Sequence, residues 1–321
     1  MKKVAVMWVG ALMLLSSFLV VPSATGADES GCAPRAPTMI YNANDLQNMS
    51  SELTGDYALA NDIDASATSG WNSGAGFLPI GTSSSRFRGT FDGKGFNITK
   101  LTISRSGQDN VGLFSYTQYP AKITNVNLVD AVISGRYNVG GIAGYLYYGS
   151  ISGCSVGGTV KGSGSYIGGL AGYAMYGTIS NGFSTGSVSG GSDYCGGIAG
   201  YSQQTSVSMC YSTASVSGYW QIGGIVGMVY YGSISTSYFA GSVSGNYYVA
   251  GIVGRAETVT ISYCYNTGSV TGSSDCTGGI GGLVYGGNVF YCYNTGPIVG
   301  YSGTGGLVGY PYGSNIYYIG C

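Results

Sequence analysis

The sequence predicts an all-β fold, a right-handed parallel β-helix (β-solenoid) built from coils of about 28 residues. Three observations lead to this prediction. From residue 138 onward, one segment recurs at intervals of 27 to 29 residues. Each copy contains three short runs of β-branched residues, and glycines separate the runs. The chain has 59 glycines among its 321 residues, without the period of three that collagen requires. Short repeats with three strands each favour coils stacked turn on turn.

Three apolar columns define the interior of the predicted coil. An anchor column recurs once per coil at Leu113, Ile142, Leu170, Ile198, Ile225, Ile252, Ile280 and Leu307. A second column comprises Ile151, Ile179, Val207, Ile234, Ile261 and Val289, and a third comprises Val160, Val188, Val216, Val243, Val270 and Ile298. In the second column, serine or threonine flanks every member from Ile151 to Ile261, so side-chain alternation along a strand directs the apolar residues inward. Paired glycines such as Gly140 and Gly141 suit tight corners.

Residues 1–27 are predicted to be a signal peptide. Lys2 and Lys3 precede the apolar stretch Val4–Val21, and small residues follow it, as in secretory signals. An uncleaved membrane anchor is the alternative, because the stretch approaches spanning length. No second apolar run of that length occurs, so we expect no transmembrane span after cleavage and a secreted or cell-surface location.

The remaining chain divides into three predicted regions. Residues 28–37 form a flexible mature N-terminus, residues 38–108 form an N-terminal cap with irregular first coils, and residues 109–321 form the regular repeats. The cap includes a short helix with Asn42 or Asn44 at its N-cap, a preferred residue there. Such a helix would cover an open sheet edge.

Composition excludes several partners. Charged residues make up 8% of the chain, the net charge is −1, and histidine is absent. Without a basic stripe to neutralise phosphates, nucleic acid is not an expected partner. No cofactor or metal is expected either, since the cysteines form no paired C-x-x-C motif.

The repeats resemble the GLUG motif, as in ISYCYNTGSVTG at residues 261–272 and the matching segment at 289–300. The resemblance extends from about Thr38 to the C-terminus. It implies a large bacterial or archaeal surface protein of the adhesin-like kind, or the non-catalytic repeat region of immunoglobulin A-cleaving metallopeptidases. That peptidase activity requires an H-E-x-x-H helix, which a chain without histidine cannot supply. We therefore expect no enzyme.

Cysteines and acidic residues are the groups in this sequence that could bind a metal, form a disulfide or catalyse a reaction. One column contains Cys154, Cys210, Cys264 and Cys292, and a buried structural ladder is the favoured interpretation. A disulfide between Cys264 and Cys292 is the alternative, because neighbouring coils bring them within bridging range. Clustered carboxylates would indicate a polysaccharide-acting enzyme; the acidic residues considered are Asp62, Asp64, Asp92, Asp109, Asp193, Glu257 and Asp275. Turn formation explains them better.

Tyrosine is the main candidate for binding. One group, with Phe183, follows the cysteine column and is predicted to form a structural ladder: Tyr211, Tyr238, Tyr265 and Tyr293. A second group is expected to lie exposed where the coil turns, either in contact with a ligand or as a solubilising surface: Tyr145, Tyr147, Tyr148, Tyr173, Tyr176, Tyr201, Tyr230 and Tyr231. An uncharged surface of tyrosine, serine and glycine has the chemistry of recognition loops. A host or neighbouring-cell glycan or protein is the expected partner.

Further expectations concern the surface and the end of the chain. Asn48 and Asn97 begin sequons that could carry glycan. The last coil lacks an evident cap, so we expect it to pair with a second copy or with a partner, unless the gene is a shortened relative of a longer protein; self-association is the favoured option. The leading interpretation is thus a secreted or cell-surface adhesin-like β-helix. A purely structural stalk or envelope rod is the alternative, and a polysaccharide-acting enzyme or an ice-binding protein ranks lower.

Overall fold

A computed structural model describes residues 36–317 of the chain. The predicted signal peptide at 1–27 lies outside the described residues, as do positions 28–35 of the predicted flexible segment. The described residues form one compact unit. Within the described range, no helix is both long and apolar enough to cross a membrane.

The described chain folds as the predicted all-β parallel solenoid, with three sheets running along the stack. Sheet 1 contains 17 strands: Thr38–Ile40, Asp56–Leu59, Thr90–Asp92, Phe114–Gln118, Lys122–Thr124, Ala143–Tyr147, Ser150–Ser152, Ala171–Met175, Thr178–Ser180, Ala199–Gln203, Ser206–Ser208, Val226–Ser235, Val253–Ser262, Gly281–Tyr285, Asn288–Phe290, Val308–Tyr312 and Asn315–Tyr317. Sheet 1 therefore receives two consecutive runs from each regular coil.

Sheets 2 and 3 form the other walls. Sheet 2 contains 15 strands: Ile63–Asp64, Asn97–Thr99, Thr102–Ser104, Asn127–Gly135, Ser155–Gly162, Phe183–Ser184, Ser187–Gly190, Tyr211–Ser212, Ser215–Ser217, Tyr238–Phe239, Ser242–Gly245, Tyr265–Asn266, Ser269–Gly272, Tyr293–Asn294 and Ile298–Val299. Sheet 3 contains seven: Val139–Gly140, Ile167–Gly168, Asp193–Gly196, Trp220–Gly223, Tyr247–Ala250, Asp275–Gly278 and Ser302–Gly305.

Strand register follows the sequence repeat. Ile151 pairs with Ile179, and Val160 pairs with Val188, both across one coil. The paired strands are parallel, so identical positions stack along the solenoid at about 4.8 Å per coil. Each column in the sequence is consequently a physical ladder.

The predicted inward columns are confirmed. In the anchor column, the seven members from Leu113 to Ile280 have no exposed surface, and the second and third columns are buried up to Val289 and Val270. The short helix Ala43–Asn48 is also confirmed: its N-cap Asn42 accepts hydrogen bonds from the backbone of Asn44 and Asp45. Short 3-10 segments lie at Met49–Ser51 and Ser66–Gly74.

Corners depend on glycine and on left-handed backbone. At Gly168 an added Cβ would lie 2.0 Å from the carbonyl oxygen of Ala171, so only glycine fits. Elsewhere each coil turns through a residue of positive φ at a fixed position. In the corner between the two runs of sheet 1, that residue is Tyr148, Tyr176, Gln204, Tyr231, Thr258, Gly286 and Gly313 in successive coils. We call this set the corner column.

Candidate ligand-contact surface

The corner column places tyrosine where the backbone does not require it. Tyr148, Tyr176 and Tyr231 have φ values of 49°, 56° and 49°, a left-handed conformation that costs a non-glycine residue roughly 1–2 kcal/mol. Thr258 and Gly286 adopt the same conformation, with φ of 53° and 60°. The coil therefore turns equally well without a ring, and the ring is not a requirement of the fold.

Two of these tyrosines, Tyr148 and Tyr176, form a surface cluster with Tyr147, which we call the corner cluster. The rings of Tyr148 and Tyr176 stack with centroids 4.5 Å apart, and Tyr147 meets Tyr148 edge-on at 4.7 Å. Tyr148 is 44% exposed. Partial burial and the neighbouring phenols Tyr147 and Tyr176 raise the pKa of Tyr148. Since even an unperturbed tyrosine is protonated at physiological pH, its hydroxyl can donate a hydrogen bond.

A cavity of about 290 Å³ lies beside this cluster. Its walls include Tyr119, Lys122, Tyr148, Ser150 and Tyr176. We call it the corner cavity. It combines aromatic surface, hydroxyl groups and one ammonium group, which is the mixture of apolar and convergent polar groups that small-ligand sites use.

Sequence reasoning missed Tyr119 and Lys122, although both line the corner cavity. Lys122 pairs with Ser150 in the outward column of sheet 1. Tyr119 belongs to the degenerate first copy and precedes a cis proline, Pro120. Its spacing of 29 residues from Tyr148 was the available signal.

Three predicted contact residues lie elsewhere. Tyr145, Tyr173 and Tyr201 are inside strands of sheet 1 and half-buried, so the expectation that they sit exposed at the turn is wrong. Their side chains share a register and therefore stack on one another, at 4.7 and 4.8 Å. Burial, with smaller contributions from neighbouring phenols and Glu257, raises the pKa of Tyr201 to about 12.

Packing around this ladder hides its ring faces. Tyr116 stacks on Tyr145 at 4.4 Å, and the guanidinium of Arg86 covers Tyr116 at 4.5 Å. The same guanidinium lies 5.6 Å from the ring of Tyr147, a cation–π contact that ties this ladder to the corner cluster. The Tyr173 hydroxyl donates to Gln203 at 3.0 Å. The ladder is therefore a support for the corner cluster.

Tyr230 and Tyr231 form a separate pair, in T-shaped contact at 4.5 Å. Both lie within the continuous strand Val226–Ser235, and Tyr231 has the positive φ of the corner column. The intervening coil carries Gln203 and Gln204 at the equivalent positions. The structure thus divides the predicted contact residues into two surface groups and one supporting ladder.

The predicted structural ladder is confirmed. Rings from Phe183 through Tyr293 stack at 4.8 to 5.1 Å with interplanar angles of 2 to 6°. The cysteine column is also buried as expected. Burial raises the pKa of Cys154 to about 12 and that of Cys210 to about 11.

Cys264 and Cys292 are neighbouring thiols on adjacent coils. Their hydrogen bond, together with burial, raises the pKa of Cys264. The disulfide between them remains a prediction. Glycosylation also remains a prediction: Asn48 is exposed at the end of the helix, and Asn97 is half-buried on sheet 2.

The acidic residues of the first coils have structural partners. Each carboxylate accepts a hydrogen bond: Asp62 from the backbone of Asn97, Asp64 from that of Ser66, Asp92 from that of Lys94, and Asp109 from the guanidinium of Arg136. The Arg136 bond to Asp109 holds the pKa of that carboxyl below its usual value. Across residues 36–317, no three His, Cys, Asp or Glu side chains form a group suited to a metal ion.

These features define a parallel β-solenoid repeat protein with tyrosine clusters on its surface. The GLUG motif matches residues 135–161, 163–189 and 245–271. The predicted resemblance to GLUG-motif repeat proteins is therefore confirmed, with the motif present in three repeats.

Two known proteins are similar to parts of the chain. Halomucin of Haloquadratum walsbyi is 42% identical over 108 residues, which are 31% of this chain and 1% of halomucin. The chain thus matches a very small part of that relative, and the similarity favours a surface or secreted repeat protein. A crystal structure of a candidate immunoglobulin A1 protease from Bacteroides ovatus has a TM-score of 0.59 at 24% identity, covering 72% of this chain and 75% of that one. This second similarity supports the solenoid fold.

Proposed function

We propose that the protein is a secreted or cell-surface adhesin-like solenoid that binds a glycan or a protein, without catalysis, through its corner cluster. The observation that carries the proposal is the pair of stacked rings that Tyr148 and Tyr176 hold at left-handed corners. Gly286 and Gly313 occupy the same position with a similar φ, and Thr258 does so without a ring, so the turn does not need the rings. Aromatic rings that the fold does not need, fixed against each other at a surface corner, have the chemistry of a recognition surface.

The chemistry of the cluster supports contact with a partner. Tyrosine gives large contact area for little loss of side-chain freedom, because it has two side-chain torsions. The stacked rings of Tyr148 and Tyr176 fix each other. Lys122 and Ser150 add polar groups to the adjacent cavity. Such groups can orient a ligand and make its binding specific.

A paired substitution tests the proposal. Tyr148→Gly with Tyr176→Gly removes both rings and relieves the left-handed strain, so the coil should still form. Thr258→Gly makes the same backbone change three coils beyond Tyr176, away from the cavity, and serves as the control. The purified proteins are applied to an array of glycans and an array of extracellular proteins.

We expect the wild type and Thr258→Gly to bind the same ligand and the double variant to lose at least about tenfold in affinity, or ~1.4 kcal/mol. Equal binding by the double variant would contradict the proposed surface. Absence of any ligand on both arrays would favour the structural rod instead.

We also propose that the last described coil associates with a second copy of the chain. Leu307 and Ile316 are only partly buried, whereas Ile280 and Ile261 in the same columns are fully buried. Exposed apolar wall and strand edges favour stacking on another coil. Light scattering at micromolar concentration should show a dimer or larger species, and Leu307→Glu should reduce it to the monomer. A wild-type monomer would contradict this proposal.

A further inference from the structure

The structural ladder on sheet 2 presents ring edges and hydroxyls to solvent along most of its length. Tyr211 and Tyr238 are 5.0 Å apart and nearly parallel, at 2°. A flat group inserted between them would need about 3.5 Å on each side, so nothing can enter between the rungs. A ring face is available only where the ladder ends.

The ladder begins at Phe183, and the face of this ring toward the preceding coil is not covered by another ring. Phe183 stacks on Tyr211 on one side, at 4.8 Å. On the other side its register partner is Ser155, which in turn pairs with Asn127. Asn127 pairs with Asn97 in the coil before that. The column thus changes from aromatic rings to small polar side chains at this point.

A cavity of about 590 Å³ opens at this place, within the size range of small-ligand sites, roughly 300–1,000 Å³. We call it the ladder-end cavity. Its lining combines one aromatic ring with amide, hydroxyl and carboxylate groups, from Phe183, Asn97, Asn127, Ser155, Thr185 and Asp130.

Glycines shape the remaining wall. The strand Ser155–Gly162 has a register shift between Val156 and Gly158 where it pairs with the preceding strand. Gly158 has φ of +119°, and an added Cβ would lie 2.2 Å from the carbonyl oxygen of Ala131. Gly186, with φ of +85°, occupies the equivalent position in the next coil. A conformation open only to glycine therefore leaves this wall without side chains.

The polar groups are partly pre-oriented. The Asn127 amide nitrogen donates to the carbonyl oxygen of Gly95 at 3.1 Å, and its amide oxygen accepts from the Ser155 hydroxyl at 2.9 Å. Asp130 is the one ionisable residue among those that line the cavity. Its carboxylate can accept hydrogen bonds from hydroxyl groups and repels an anionic ligand.

We propose that the ladder-end cavity binds a neutral pyranose ring of a glycan, stacked on the free face of Phe183. The ring C–H groups of a sugar carry partial positive charge and match the negative face of the aromatic ring. Its peripheral hydroxyls match the amide, hydroxyl and carboxylate groups of the lining. The carboxylate of Asp130 excludes uronic and sialic acids. This site lies on sheet 2 and is independent of the corner cluster.

The repeats themselves supply the blocking substitution. Ser155→Tyr places in this coil the ring that later coils carry in the same column, so it should stack on Phe183 and cover the free face. Ser215→Tyr is the control: it adds the same ring at an exposed position of sheet 2 that does not line the cavity. Phe183→Leu removes the face and decides the test if Ser155→Tyr fails to fold, which its thermal melt would reveal.

The measurement is saturation-transfer NMR on protein made in a host that adds no N-glycans, because Asn97 lines the cavity. The probes are the methyl glycosides of glucose, galactose and N-acetylglucosamine, with methyl glucuronide and sialyllactose as acidic counterparts. We expect at least one neutral glycoside to bind with a Kd near ~1 mM. Ser155→Tyr and Phe183→Leu should weaken that binding at least about tenfold, while Ser215→Tyr leaves it unchanged.

Three results would overturn the inference. The first is that no neutral glycoside binds at about 10 mM. The second is that a neutral glycoside binds Ser155→Tyr as tightly as the wild type. The third is that methyl glucuronide binds as tightly as methyl glucoside. Tyr148→Gly with Tyr176→Gly should leave this binding intact, so failure here and failure of the corner cluster give different patterns.

Discussion

Replacement of Ile198 tests the division between inward and outward residues. Ile198 has no exposed surface. Its backbone is hydrogen-bonded to Leu170 in the preceding coil and to Ile225 in the following coil. Ile198→Ala should therefore lower the free energy of unfolding by about 2–5 kcal/mol, the cost of a buried cavity. Ile198→Asp adds an uncompensated buried charge that costs several kcal/mol more, which approaches the whole stability of a typical domain, about 5–15 kcal/mol.

Ser206→Asp is the matched outward change. Ser206 is half-buried, and Lys122 occupies the same outward column three coils earlier. A charge is thus accommodated there, and the free energy of unfolding should change by no more than about 0.5 kcal/mol. Urea denaturation followed by far-UV circular dichroism measures all three variants. Similar losses for Ile198→Ala and Ser206→Asp would refute the assignment of faces.

Three further predictions use the same unfolding assay. Gly168→Ala should lower the free energy of unfolding by roughly 3 kcal/mol, because its Cβ would overlap the Ala171 carbonyl. Gly107 has open space around it, so Gly107→Ala should be neutral or stabilising by up to ~1 kcal/mol. Equal effects of the two changes would contradict the tight corner. Burial raises the pKa of the Cys210 thiol above its ordinary 9.0. The free energy of unfolding should therefore keep its full value below pH 9 and fall as the pH rises above it, and Cys210→Ala should reduce that slope by roughly 1.4 kcal/mol per pH unit. An unchanged slope would contradict this. Asn266→Asp should lower the free energy of unfolding by about 3–5 kcal/mol. The change buries a charge and loses the hydrogen bonds that the Asn266 amide donates to Asn294 and to the Gly268 carbonyl. A neutral effect would show that the interior there is solvated.

The sequence predicted the fold because the repeat length is itself the structural register. Once Ile151 and Ile179 stand one period apart, parallel stacking makes them neighbours, and the alternation of polar and apolar residues then decides which face is buried. The same reasoning identified the ladder from Phe183 to Tyr293 without structural information.

The candidate sites were less predictable, because they depend on backbone conformation. Tyr145 lies in a strand and Tyr148 at a left-handed corner. Only three positions separate them in the sequence, yet Tyr145 is a supporting ring and Tyr148 an exposed one. The recurrence of asparagine and glycine in another positive-φ column, at Asn125, Gly153 and Asn181, was a usable signal for such corners. The ladder-end cavity requires a bulge at Gly158 that no periodicity reveals.

The most direct test of ligand contact at the corner cluster is NMR of protein labelled with ¹³C in the tyrosine rings. Resonances are assigned with Tyr148→Phe, Tyr176→Phe and Tyr211→Phe, and the labelled protein is titrated with the ligand found on the arrays. We predict that the Tyr148 and Tyr176 resonances shift on binding while Tyr211, in the covered ladder on sheet 2, does not. Shifts at Tyr211 with none at Tyr148 and Tyr176 would contradict the proposed recognition surface.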